Sequence, residues 1–323
     1  MKILFITSNR IGDAVLSTGL LNHVIREYPD SRITLACGPL AAPLFAETPN
    51  IDRIIELVKG TGHWRKLWRE TFGTRWDLVV DLRASAFVYF VRARKRRTYR
   101  PSDEPVHRVV QLSRFYGLAG PAAPGLWFGQ KQVAAAKALI PPGDPVIALA
   151  PTANWAGKQW PAAKFADMVL RLTGPRGILD GARIAVFGAD AERKVALPLL
   201  ERIRKDHRID LVGKVDILTA AACLQQCALF IGNDSGLMHL SAAAYTPTLG
   251  LFGPSRDELY APWGAHCAVV RTKASYDELK ASPQWARGAS LMGSLSVEAV
   301  EAAAVDLWNR CHPQHEVAEA AGA

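Results

Sequence analysis

Short apolar runs alternate with helical stretches along nearly the whole chain, and the pattern starts twice. Lys2–Thr7 is the first run, followed by a polar turn from Ser8 to Asp13. Val15, Leu16, Leu20, Leu21, Val24 and Ile25 then fall on one helical stripe that Pro29 and Asp30 end. Ile33–Cys37, Ile54–Val58 and Leu78–Leu82 read as further strands. A Pro/Gly-rich zone follows, Gly120 to Gly125, then a helical stretch Gln130–Leu139 and the cluster Pro141, Pro142, Gly143 and Pro145, which reads as a linker. The alternation restarts with strands over 146–150, 183–188, 209–212, 228–231 and 248–252, separated by helices over 161–172, 190–204, 217–226 and 234–244. A last amphipathic helix spans 296–310, with Ser296 placed to cap it. This predicts an α/β chain of two doubly wound, mostly parallel domains, 1–142 and 146–295. Two such halves imply a cleft, with ligands at the C-terminal ends of strands and at helix N-termini. The loops 8–13, 151–160, 188–192 and 232–236 are therefore where function is expected.

A length of 323 residues suits two domains at roughly 150 each. With 39 basic and 30 acidic residues the net charge is +9, which favours an anionic partner without choosing among nucleic acid, lipid head groups and phosphorylated substrates. The five cysteines show no zinc-ligand spacing and read as buried free thiols of a reducing compartment. The apolar run Ile3–Ile6 is too short for a signal-peptide core, and no stretch supplies the ~20 apolar residues of a spanning helix. Membrane contact is expected to be peripheral.

Several signatures are absent: GxGxxG after the first strand, GxxxxGK[ST], Asp-x-Asp, GxSxG and HExxH. Their absence argues against P-loop kinases, α/β-hydrolases, zinc hydrolases and metal-bridged nucleotide-sugar sites of the Asp-x-Asp type. Other segments carry chemistry, each with an ordinary alternative. Gly12-Asp13 sits on a strand-to-helix turn, and Asp13 is either a helix N-cap or a carboxylate base. The segment Pro151–Pro161, with Thr152, Asn154 and Lys158, is a βα loop or an anion cradle. Asn233-Asp234-Ser235-Gly236, with His239, caps a helix or binds phosphate at its N-terminus, and His239 is otherwise a packed core histidine. Asp190 to Glu192 ends a strand where an acidic residue can accept from ribose hydroxyls, or where Asp190 caps a helix. Two basic clusters lie in the first half: Arg65, Lys66 and Arg69 among tryptophans, and Arg92, Arg94, Lys95, Arg96, Arg97 and Arg100. They are a solvated face, a surface for anionic lipid, or a nucleic-acid patch. No helix-turn-helix, zinc-finger or RNA-binding signature supports the last.

In order along the chain, Ile11-Gly12-Asp13-Ala14-Val15-Leu16-Ser17-Thr18, Ala150-Pro151 with Lys158-x-Trp160-Pro161, Asn233-Asp234-Ser235-Gly236-x-x-His239-Leu240 and Phe252-Gly253-Pro254 resemble glycosyltransferase family 9, the bacterial heptosyltransferases. The similarity runs from Met1 to about Arg310. It implies a GT-B fold of two Rossmann-like domains facing a cleft, with the last helix packing back on the first domain. It implies inverting, metal-independent transfer of heptose from an ADP-linked donor, a co-substrate rather than a cofactor. The acceptor would be the lipid-linked, anionic inner core of lipopolysaccharide, at the cytoplasmic face of the inner membrane. No nucleic-acid partner is expected. By the same resemblance Asp13 is the base and Lys158 stabilises the departing ADP. The donor would be held by Gly12, Thr152, Asn154, Lys158, Glu192, Val215, Asp234, Ser235, Gly236 and His239. Arg65, Lys66, Arg69, Arg94, Lys95, Arg96 and Arg97 would serve the acceptor and the membrane. Another nucleotide sugar on a GT-B scaffold, or a non-catalytic binding protein on it, remains the alternative.

Overall fold

The computed structural model describes residues 1–58, 60, 62–102 and 104–313. The chain divides into two compact units, Met1–Gly129 and Gln130–Ala323. The first unit contains β1 (Lys2–Ile6), α1 (Ile11–Glu27), β2 (Arg32–Cys37), β3 (Ile51–Glu56), α2 (His63–Thr71), β4 (Arg75–Asp81), β5 (Arg92–Thr98) and α3 (Arg108–Tyr116). Its strands form one parallel sheet in the order β3-β2-β1-β4-β5. Ile3, Leu4, Phe5 and Ile6 are all fully buried, because helices or turns cover both faces of a parallel sheet and leave no wet side. On one face Leu67 of α2 and Phe87 and Val88 of the 3₁₀ turn Ala86–Phe90 pack over Leu4, Ile6, Ile55 and Val79. β5 was not expected as a strand: Arg-Ala-Arg-Lys-Arg-Arg-Thr has no apolar alternation, and it forms because it needs only one neighbour, β4, as an edge.

The second unit contains α4 (Gln130–Leu139), β6 (Val146–Ala150), α5 (Ala162–Thr173), β7 (Arg183–Val186), α6 (Arg193–Leu200), β8 (Arg208–Asp210), α7 (Ile217–Leu224), β9 (Leu229–Asn233), α8 (Gly236–Ala243), β10 (Thr248–Phe252), α9 (Asp257–Tyr260), β11 (Cys267–Arg271), α10 (Tyr276–Ala281) and α11 (Val297–Cys311). Its six strands are all parallel, in the order β11-β10-β9-β6-β7-β8. Two expectations need correction here. The boundary falls at 129/130 rather than at the Pro/Gly cluster 141–145, because α4 packs against α7. The last helix belongs to the second unit. Its stripe Val297, Val300, Ala304 and Leu307 is buried in the core shared with α5, β6 and β10. Arg171 of α5 also bridges Glu298 and Glu301 of α11 at 2.7 and 2.9 Å. Ser296 does cap that helix, accepting from the Ala299 amide at 3.1 Å.

All five cysteines are free thiols, with Cys37, Cys223 and Cys227 buried. Burial pushes the Cys37 thiol up to about 12 and Cys223 up to about 11, so neither is a nucleophile at neutral pH. No helix among the described residues is long and apolar enough to cross a membrane.

Candidate active site

Four neighbouring strands of the second unit carry candidate residues to one side of the sheet. β9, β6, β7 and β8 are adjacent and parallel, so the loops at their C-terminal ends lie together. Thr152, Asn154 and Lys158 follow β6, Glu192 follows β7, Val215 follows β8, and Asp234, Ser235, Gly236 and His239 follow β9. From β6 the chain winds to β7 and β8 on one side and later to β9 on the other. The loops after β6 and β9 thus leave a switch point between them, where open α/β sheets receive ligands.

Lys158 and Asp234 meet there as an ion pair, with side chains 23% and 8% exposed. Asp234 is therefore not a helix cap. The N-cap of α8 is Ser235, and its side chain caps nothing. Ser235 Oγ is buried without a hydrogen-bond partner. An uncapped helix N-terminus, an unsatisfied hydroxyl and an ammonium form an arrangement that accepts an anion. His239 is buried at the end of the first turn of α8.

Asn233, the last residue of β9, clamps the loop after β6. Its Nδ2 donates to the Pro151 carbonyl at 2.8 Å, and its Oδ1 accepts from the Trp160 amide at 3.0 Å. The side chain is fully buried, so both ends of the 151–160 loop hang on one amide. Asn233→Ala is expected to cost about 2–6 kcal/mol of stability, since it leaves two buried backbone groups unpaired at about 1–3 kcal/mol each. Urea unfolding measures this, and an unchanged midpoint would mean the loop is held otherwise. Within the loop Trp155 folds its ring over Gly157, where an added Cβ would lie 2.6 Å from a ring carbon. Ser290 and Leu291 tie the loop from outside, through the Gln159 carbonyl at 2.6 Å and the Gly157 carbonyl at 2.9 Å.

A second group forms beside β7. Glu192 Oε2 accepts from Thr152 Oγ1 and from the Ala189 amide, both at 2.9 Å. Gly213, at φ 69°, passes so close to Asp190 that a Cβ would lie 2.8 Å from its Cα, so only glycine fits. Val215 is half-buried on the same loop, next to the cap of α7. That cap, Asp216, accepts from the Leu218 and Thr219 amides at 3.0 and 2.8 Å. Burial pushes the Asp216 carboxyl up, but these hydrogen bonds together with that from the Thr219 hydroxyl hold it below the usual range. Asn154 is exposed and joins none of these hydrogen bonds.

In the first unit, Gly12 and Asp13 lie in the first turn of α1, just past the C-terminal end of β1. Arg10, not Asp13, is the N-cap, and no side chain caps the helix. Ser8 Oγ lies 3.4 Å from Asp13 Oδ2. The basic candidates divide. Arg96 is spent on the backbone: its guanidinium donates to the Val88, Val91 and Ala93 carbonyls at 2.8–3.0 Å. Arg97 lies over the Tyr116 ring at 4.7 Å. Lys66 reaches the Glu56 carbonyl at 3.2 Å and Glu70 at 3.9 Å. Arg65, Arg69, Arg94 and Lys95 are exposed. Among the described residues no group of three or more His, Cys, Asp or Glu could hold a metal ion.

The model of glycosyltransferase family 9 (heptosyltransferase) matches residues 82–284, from the end of β4 to the segment after α10. The chain belongs to this family. It is a glycosyltransferase, and its two α/β units are those of the GT-B fold. A lipooligosaccharide heptosyltransferase 2 of Haemophilus ducreyi is 28% identical over 315 residues, covering 84% of this chain and 88% of its own. The glycosyl transferase family 9 structure from Veillonella parvula superposes with a TM-score of 0.80 at 23% identity, covering 95% of this chain and 97% of the other. The structure of the Escherichia coli ADP-heptose lipopolysaccharide heptosyltransferase II does so at 0.75 and 21% identity, covering 98% and 100%.

Proposed function

We propose that this glycosyltransferase moves a heptose from ADP-heptose to the inner core of lipopolysaccharide, with inversion and without a metal ion. The observation that carries the reading is the pairing of Lys158 and Asp234 at the uncapped N-terminus of α8, beside the partnerless Ser235 hydroxyl. An ammonium, a helix dipole and a free donor suit a diphosphate that leaves bearing negative charge. The names of the Haemophilus ducreyi and Escherichia coli relatives support heptose as the sugar and ADP as the carrier. In this reading Asp13 takes the proton of the acceptor hydroxyl as its oxygen bonds to the anomeric carbon. The bond from that carbon to the diphosphate breaks, and Lys158 with the α8 N-terminus receives the charge on ADP. Thr152, Asn154, Ser235, Gly236 and His239 hold the diphosphate and sugar, Glu192 the ribose, and Val215 the adenine, while Gly12 lets the donor come close. The acceptor is anionic and lipid-linked, so the enzyme works at the cytoplasmic face of the inner membrane, with its exposed cations towards it.

Thermal shifts with ADP, UDP, GDP and CMP test the donor, each with magnesium and with EDTA. A ligand at about 100 times its Kd stabilises a fold by about 2.7 kcal/mol. ADP is expected to give the largest shift, equal in magnesium and in EDTA. A larger shift with UDP, or an ADP shift lost in EDTA, would contradict the reading.

A further inference from the structure

One layer of the first unit presents aromatic rings to solvent where a soluble surface has no use for them. On α2, Arg65, Trp68, Arg69 and Phe72, the last just past its end, fall at helical spacing on the side opposite buried Leu67. Trp68 is 42% and Phe72 67% exposed, and the two rings lie against each other at 4.5 Å between centroids. The neighbouring 3₁₀ turn ends in Tyr89 and Phe90, 67% and 70% exposed. Trp64 of α2 stacks on Phe87 of that turn at 5.7 Å, so the two elements are held side by side. Both turn their inner residues, Leu67, Phe87 and Val88, into the same core, which leaves their outer residues facing away from the sheet. Exposed Arg92, Arg94 and Lys95 begin β5 directly after the turn.

Edge-strand protection accounts for the charges of β5, since cations on a rim discourage pairing with another sheet. It does not account for the rings. Exposed aromatic pairs make a sheet edge more adhesive, not less. Rings and cations together match the chemistry of a bilayer surface: aromatic side chains settle at head-group depth, and arginine and lysine attract anionic lipid. We infer that the outer face of α2 and the Ala86–Phe90 turn docks on an anionic bilayer, with Trp68, Phe72, Tyr89 and Phe90 inserting at head-group depth and Arg65, Arg69, Arg92, Arg94 and Lys95 around them. The inference rests on the membrane-facing part of the proposed function and names the surface that carries it. Arg96 and Arg97, tied to the fold, contribute little.

Co-sedimentation of the full chain with vesicles tests this, using phosphatidylethanolamine–phosphatidylglycerol vesicles and phosphatidylcholine vesicles as the neutral control. Binding is read without donor or acceptor, so it stands or falls apart from the transfer reaction. The unmodified chain is expected to bind the anionic vesicles and to keep part of that binding in about 1 M salt, where screening acts within about 3 Å. The variant Trp68→Ser/Phe72→Ser/Tyr89→Ser/Phe90→Ser is expected to bind at least tenfold more weakly and to lose the salt-resistant part, with an unchanged melting temperature. If the fourfold variant melts early, the pairs Trp68→Ser/Phe72→Ser and Tyr89→Ser/Phe90→Ser are each expected to weaken binding at least threefold. Aromatic variants that bind like the unmodified chain at both salt concentrations would overturn the inference. So would an unmodified chain that stays in the supernatant, or light scattering that shows the variant as a monomer and the unmodified chain as a dimer, since the rings would then cover a second copy.

Discussion

Asp13→Asn is expected to lower turnover by about 10²–10⁴-fold, the usual effect of removing a general base, while ADP affinity stays unchanged. The split follows from where the groups lie. Asp13 is in the first unit, in the first turn of α1, whereas the residues proposed to hold ADP follow strands β6 to β9 of the second unit, Gly12 aside. The cap of α1 is Arg10, so the carboxylate is not needed to close the helix. Asparagine keeps its size and loses only its charge near the positive end of the helix dipole, a change of about 0.3–1 kcal/mol. Steady-state turnover, ADP titration and a thermal melt on the same variant separate these effects. Near-normal turnover would return Asp13 to an electrostatic role at the helix end, and lost ADP affinity would move it into the donor site.

Lys158→Ala is expected to cut turnover by about 10²–10³-fold, the range for loss of one charge-stabilising donor in a site shielded from water. It is also expected to weaken ADP binding. This variant has a structural cost too. Asp234, at 8% exposure, is left without its cation. Breaking a buried pair costs about 3–5 kcal/mol, and partial exposure of Lys158 reduces that to about 1–3 kcal/mol here. The double variant Lys158→Ala/Asp234→Asn removes the stranded charge. It is expected to recover most of the melting temperature and none of the turnover. Recovery of both would show that Lys158 serves only to hold Asp234, and recovery of neither would place the cost outside the pair.

Much of this site was legible in the sequence because its parts sit next to strands that announce themselves. β1, β6, β9 and β10 are continuous apolar runs, and the loops after them could be marked without any contact information. What stayed hidden is what depends on distance along the chain. The pairing of Lys158 with Asp234 spans 76 positions, and Asn233 holds residues 73 and 82 positions away, so no local pattern signals either. β5 was hidden because an edge strand needs no buried face, and its charges outweigh its one small apolar residue, Ala93. The last helix showed its buried stripe plainly, but periodicity says which side of a helix is covered and not by what. Its partner proved to be the second unit. The basic clusters look uniform in sequence, yet Arg96 is consumed by three carbonyls while Arg94 and Lys95 stay exposed.

The transfer itself is the most direct measurement. The purified chain is incubated with ADP-heptose and an inner-core acceptor lacking its heptose, in excess EDTA, and the acceptor is weighed by mass spectrometry. The expected product is heavier by one heptosyl unit, formed at the same rate with magnesium and with EDTA and about 10²–10⁴-fold more slowly by Asp13→Asn. An acceptor that gains mass only from a UDP-linked sugar, or only when a divalent ion is present, would contradict the proposed function.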